Sequence, residues 1–168
     1  MSQTAVYFGK FRGEVSDNKD PLMTGRIKAT VPDVLGSQTT GWALPCAPFG
    51  GSGVGFFAIP TVGAEVWIEF EHGDPEYPVW TGCFWGSAKD MPPLILAPPY
   101  QKLMVVTSGG QSITLDDTPG AGGITLTTSA GQKLVLSSTG VVIDNGMGAK
   151  IELTGPQVSV NSGALQVT

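Results

Sequence analysis

The chain has 168 residues, room for one ordinary domain plus an appendage, and its net charge of −5 comes from nine Lys and Arg against fourteen Asp and Glu. That charge is spread as −4 over residues 1–86, +1 over 87–108 and −2 over 109–168, with no basic cluster, which argues against charge-driven attachment to nucleic acid or anionic lipid. All fourteen aromatic residues fall at or before Tyr100, and Gly and Pro, 24 and 13 in number, alternate with apolar pairs, so they mark turns and not a disordered tract.

The N-terminus shows no charged and apolar leader pattern, and no apolar run approaches bilayer-spanning length, so the expected setting is a cytoplasm. Up to Gly86 the chain is rich in β-branched and aromatic residues broken by Gly and Pro. Strands are predicted at Val6–Val15, Gly25–Val31, Trp42–Cys46, Phe56–Ile59, Glu65–Glu71 and Val79–Trp85, with turns at Asp17–Pro21, Asp33–Gln38, Gly50–Gly55 and Gly73–Pro78. Five or six strands at this spacing fit a small closed barrel over residues 1–86, and no stretch carries the apolar spacing of a helix. Cys46 and Cys83 lie in apolar surroundings and are expected to be buried free thiols without metal-ligand spacing.

Residues 87–100, SAKDMPPLILAPPY, contain four prolines and read as a stiff extended connector. Leu94, Ile95 and Leu96 at its centre predict packing against another surface. Gln101–Thr107 is a lead-in strand, so the connecting segment spans 87–107 and a second domain spans 108–168.

From there one pattern repeats seven times: an aliphatic residue, one intervening residue, a second aliphatic. The pairs are Ile113/Leu115, Ile124/Leu126, Leu134/Leu136, Val141/Ile143, Ile151/Leu153, Val158/Val160 and Leu165/Val167, at steps of 11, 10, 7, 10, 7 and 7 residues. Period-two alternation makes each pair a very short strand with both aliphatics on one face, one strand and one turn per unit, as in a stacked β-solenoid. Two aliphatics per strand cannot enclose a core within one ribbon. Several copies winding together would, with these fourteen residues as the dry interior of a homo-oligomeric prism stiffened by interchain hydrogen bonds.

The stretch GVGFFAIPTVGAEVWIEFEHGDPEYPVWTGCFWG at 53–86, with GRIKATVPDV at 25–34 and SGGQSITLDDTPGAGGITLTTSAGQKLVLSS at 108–138, resembles the central spikes of contractile injection machines, the phage baseplate assembly protein V and VgrG-type family. The resemblance implies an all-β chain with an N-terminal OB-fold barrel followed by a C-terminal intertwined trimeric β-helix. It implies a homotrimer assembled in the bacterial cytoplasm, part of a phage virion baseplate or phage-tail-like particle, whose OB side sits on a tail hub and whose rod makes transient, mechanical contact with the target envelope. Because the barrel comes first, the hub is expected to be a separate protein, and there is no room for a lysozyme insertion. The terminus Leu165-Gln166-Val167-Thr168 is the expected contact for a PAAR-type tip protein. Some relatives end in a His-x-His metal knot; here the sole histidine is His72, so neither metal nor cofactor is expected.

Other chemistry reads as turn geometry. His72, Asp74 and Glu76 surround Gly73 and Pro75 in a hairpin turn. Ser108-Gly109-Gly110 and Gly50–Gly53 lack the Lys and following helix of a phosphate cradle. Asp116-Asp117 and Asp144-Asn145-Gly146 are isolated acidic loops without the regular repeat of a calcium-binding solenoid. No nucleophile, base and orienting group assemble into an enzyme site. Two alternatives carry weight. A single-strand-binding OB module would need a basic groove, whereas residues 1–86 hold five Lys or Arg against nine Asp or Glu, and Trp42, Trp67, Trp80 and Trp85 then read as barrel core and trimer contacts. A trimeric fibre or adhesin would be expected to end in an aromatic receptor-binding domain.

Overall fold

A computed structural model describes residues 5–92 and 98–167. The expected packing of Leu94, Ile95 and Leu96 therefore lies outside the described residues. The chain divides into two compact units, the first ending at Gly86 and the second beginning at Ser87.

In the first unit, β1 (Phe11–Asp17) pairs antiparallel with β2 (Lys28–Thr30) and with β6 (Glu65–Phe70), β6 pairs antiparallel with β7 (Pro78–Cys83), and β7 pairs parallel with β3 (Leu44–Pro45). Reciprocal hydrogen bonds between Ile27 and Ala43, 2.7 and 3.2 Å long, join the β3 end of this sheet to the β2 end, so it curls into a barrel. Alternation decides the inside: in β6, Val66, Ile68 and Phe70 are buried while Glu65, Trp67 and Glu69 are only partly so. They join Val15, Ile27, Ala29, Val31, Ala43 and Trp80 in one core, and the Trp80 indole donates to the Gly25 carbonyl at 3.1 Å.

Several local expectations shift. No strand forms at Phe56–Ile59; Phe56 and Phe57 are exposed beside a small hairpin of β4 (Gly50–Gly51) and β5 (Val54–Gly55). The reason is the glycine run: it favours a tight turn whose partner strand ends before the phenylalanines. β1 starts at Phe11, not Val6, and the Asp33–Gln38 turn opens with a single helical turn, α1 (Pro32–Leu35), because Pro32 presets the backbone of a first helical residue. Cys46 and Cys83 are free but exposed, correcting their expected burial. Apolar sequence neighbours did not place them inside, because Cys46 lies just beyond the end of the two-residue β3 and Cys83 is the exposed last residue of β7.

The loop between β1 and β2 is pinned by Asp20. Its carboxylate accepts from the backbone of Leu22 and Thr24 at 3.0 and 2.8 Å, from the Thr24 hydroxyl at 2.9 Å, and from Arg26 in an ion pair at 2.6 Å. The Arg26 guanidinium, followed by the Leu22 and Thr24 donors, holds the Asp20 carboxyl far below the usual carboxylate range.

In the second unit every strand pairs with its chain neighbour: β8 (Lys102–Val106), β9 (Ser112–Asp116), β10 (Gly123–Thr127), β11 (Lys133–Ser137), β12 (Gly140–Asp144), β13 (Lys150–Thr154), β14 (Gln157–Val160) and β15 (Leu165–Val167) form one eight-stranded antiparallel meander. All seven predicted aliphatic pairs fall in β9–β15. The ladder bonds described lie within one chain, where the sequence reading placed them between chains. Turns of two to six residues return each strand to the one before it. Close strand approach fixes some glycines: a Cβ on Gly140, whose φ is +150°, would stand 2.0 Å from the Leu153 carbonyl oxygen, and one on Gly123 2.2 Å from that of Leu136.

Two outcomes follow from these contacts. Gly140→Ala is expected to destabilise the second unit by more than about 1 kcal/mol in urea unfolding, since neither backbone can yield. For Asp20, a depressed folded pKa means its contribution is complete above the unfolded value near 3.8 and is lost as pH falls below it. Asp20→Asn should therefore lower the thermal midpoint at neutral pH, with the difference from wild type shrinking in strong acid.

Candidate functional site

The antiparallel registers align the aliphatic pairs into two unbroken columns on one face of the meander. One runs Leu103, Leu115, Ile124, Leu136, Val141, Leu153, Val158, Val167, and the other Val105, Ile113, Leu126, Leu134, Ile143, Ile151, Val160, Leu165. Twelve of the sixteen are exposed, from 39% to 60%, and Leu134, Val141, Val158 and Val160 are half-buried. The opposite face carries Met104, Thr114, Thr125, Val135, Val142, Glu152 and Ser159, and there Thr114 is buried. The aliphatic face is thus the more open one, the reverse of a sheet that is stable in water alone.

All fourteen residues expected to form a rod interior lie in these columns. Leu103 and Val105 extend them by one strand and were missed. Their aliphatic-x-aliphatic spacing is the same, but Met104 and Val106 beside them turn the alternation into a continuous apolar run. At the far end, Leu165 and Val167 are exposed and Gln166 pairs with Ser159 along β15, while Thr168 lies outside the described residues.

The two margins of the face differ. Along the Val105 column run the longer turns Thr107–Gln111, Thr128–Gln132 and Asn145–Ala149, which share one design. The first residue's backbone N–H donates to the carbonyl of the fifth, at 2.9, 3.0 and 3.0 Å, and its side-chain oxygen accepts from the fifth N–H, at 3.1, 3.2 and 2.9 Å. Successive turns lock together: Gln111 donates to the Ser129 hydroxyl at 3.0 Å and accepts from the Ser129 N–H at 3.2 Å, and Asn161 accepts from the Lys150 N–H at 3.0 Å. This wall and the Val105 column enclose an open apolar groove. At the other margin, the β9–β10 connection has six residues, and the β11–β12 and β13–β14 connections have two each.

The remaining candidates resolve as turns or pairs. Asp74 accepts from the Glu76 N–H at 3.0 Å, Asp144 from Gly146 at 2.7 Å, and Asp116 from Thr118 at 3.0 Å. The Thr118 hydroxyl and N–H, and then Lys102 at 3.2 Å, lower the Asp116 carboxyl below its usual range. Among the described residues, no group of three or more His, Cys, Asp or Glu could hold a metal ion, and no helix is long and apolar enough to cross a membrane. Of the four tryptophans Trp80 is core, Trp42 and Trp67 are half-buried and Trp85 is exposed. Arg26 and Lys28 lie 5.6 and 5.0 Å from the Trp42 ring and Arg12 5.8 Å from Trp67, so these rings are already faced by the chain's own cations.

Residues 11–85, the barrel, match the type VI secretion system/phage-baseplate injector OB domain, and residues 102–166, the meander, match the phage baseplate V C-terminal trimerisation domain. The chain is 39% identical over 72 residues to the type VI secretion system spike protein VgrG5 of Pseudomonas aeruginosa, covering 40% of this chain and 9% of that one. It is 34% identical over 91 residues to the actin cross-linking toxin VgrG1 of Vibrio cholerae, covering 52% and 8%. It thus spans less than a tenth of the length of these relatives, whose family is one of structural spikes. With both units matched in order, the chain belongs to the phage-baseplate and type VI secretion spike family.

Proposed function

We propose that the chain is the homotrimeric central spike of a contractile phage tail or a phage-tail-like injection machine, and that its work is mechanical. The observation that carries this reading is the pair of uncovered aliphatic columns. Among the described residues, the face of sixteen Leu, Ile and Val side chains has no second layer, and covering each half-exposed one stabilises by on the order of 1 kcal/mol. Three copies facing inward supply that layer for one another, and the match to a trimerisation domain supports this number. Eight strands stacked at about 4.8 Å make a rod on the order of 35 Å long. Such a rod concentrates the force of sheath contraction on a small area of envelope, and its interlocked turns and dry interior resist bending.

In this reading the chain itself has no catalytic step. Its OB side sits on a separate hub at the tube end, its β15 end offers Leu165 and Val167 to a PAAR-type cap, and assembly takes place in the bacterial cytoplasm before incorporation into a baseplate.

Light scattering is expected to give about 52 kDa, three times the 17.4 kDa chain. Ile151→Asp, which sets three carboxylates around one axis, should abolish that mass, because an unpaired charge in an apolar interior is not tolerated. A monomeric wild-type chain, or an undiminished trimer from the mutant, would overturn the proposal.

A further inference from the structure

We infer that the groove beside the Val105 column receives the Leu103 column of a second copy, so that the trimer closes ridge into groove. This rests on the homotrimer proposed above. The two halves of the aliphatic face are not equivalent. The Val105 side is walled by the stacked five-residue turns, whereas the Leu103 side carries one six-residue turn, 117–122, between β9 and β10, and beyond it ends, at β11–β12 and β13–β14, in two-residue turns that leave that stretch thin. A surface with a groove at one margin and a ridge at the other is complementary to itself by rotation. Such heterologous contacts close into a ring when the rotation is a simple fraction of a turn.

Rotation about a three-fold axis involves no shift along it, so β12 of every copy stands at one height. Val141 on the ridge of one copy then faces Ile143 in the groove of the next, and on β11 Leu136 faces Leu134 in the same way. Like residues, Val141 with Val141, do not form the corner contacts.

The test uses the full chain with the exposed thiols removed by Cys46→Ser and Cys83→Ser. In that background Val141→Cys and Ile143→Cys are made singly and together, checked for trimer mass under reducing conditions, then oxidised and run on a denaturing gel without reductant. Two cysteines spaced i and i+2 on one strand are poorly placed to bridge each other, so a covalent product reports contact between copies. The expected result is conversion of the monomer band to covalent trimer for the double variant and an unchanged monomer band for each single one. If Val141→Cys alone dimerises as readily, the ridge-and-groove pairing is wrong while the trimer stands. If the unsubstituted chain has monomer mass, the trimer fails and the pairing with it. Should the β12 pair lose trimer mass on reduction, Leu136→Cys with Leu134→Cys on β11 makes the same test with the same expected and contrary results.

Discussion

An antiparallel sheet satisfies its backbone within itself but leaves two faces to be accounted for. In residues 102–167 one of them is aliphatic at both core-facing positions of every strand. Among the described residues of the second unit none forms a layer over it: the turns are short, there is no α-helix, and no aromatic residue follows Tyr100. The rest follows from this constraint. The strands can be short because the layer is completed from outside, and the turns can be tight because strands need only return to their neighbours. The outer face can be hydroxyl-rich, with its charges paired as Lys102–Asp116 and Lys150–Glu152.

The first unit solves the same problem differently. Its sheet curls on itself, and Val15, Ile27, Ile68 and Trp80 meet across the barrel. Its charges are spent locally, with Asp20 and Arg26 holding a loop and Lys10 paired to Glu69 at 2.6 Å across an exposed face. The first unit therefore holds its own core, whereas the sheet of the second has one face without a layer among the described residues.

The strands of the second unit were legible from sequence because period-two alternation of aliphatics is read directly from residue order, and all seven pairs lie in strands. Strand direction and hydrogen-bond partners were not legible. The same alternation is compatible with coiling between chains or a meander within one, and only the turn geometry, such as the Thr107 and Thr128 side-chain caps, decides. In the barrel, the buried positions of β6 were visible in EVWIEF, whereas the Phe56–Ile59 segment was misread because its apolar content is two exposed phenylalanines and an Ile59 that packs on the core from outside any strand. The cysteines failed for a similar reason: neighbouring residues in sequence report composition, and burial depends on where a strand stops, just before Cys46 in β3 and at Cys83 in β7.

A second unit that completes its fold only by association must unfold with a dependence on protein concentration. Thermal unfolding followed over a hundredfold range of protein concentration should show the midpoint of the second unit rising with concentration, because folding and assembly are one equilibrium. A reversible midpoint that stays constant across that range would mean that the aliphatic face is stable uncovered and that association does not complete the fold.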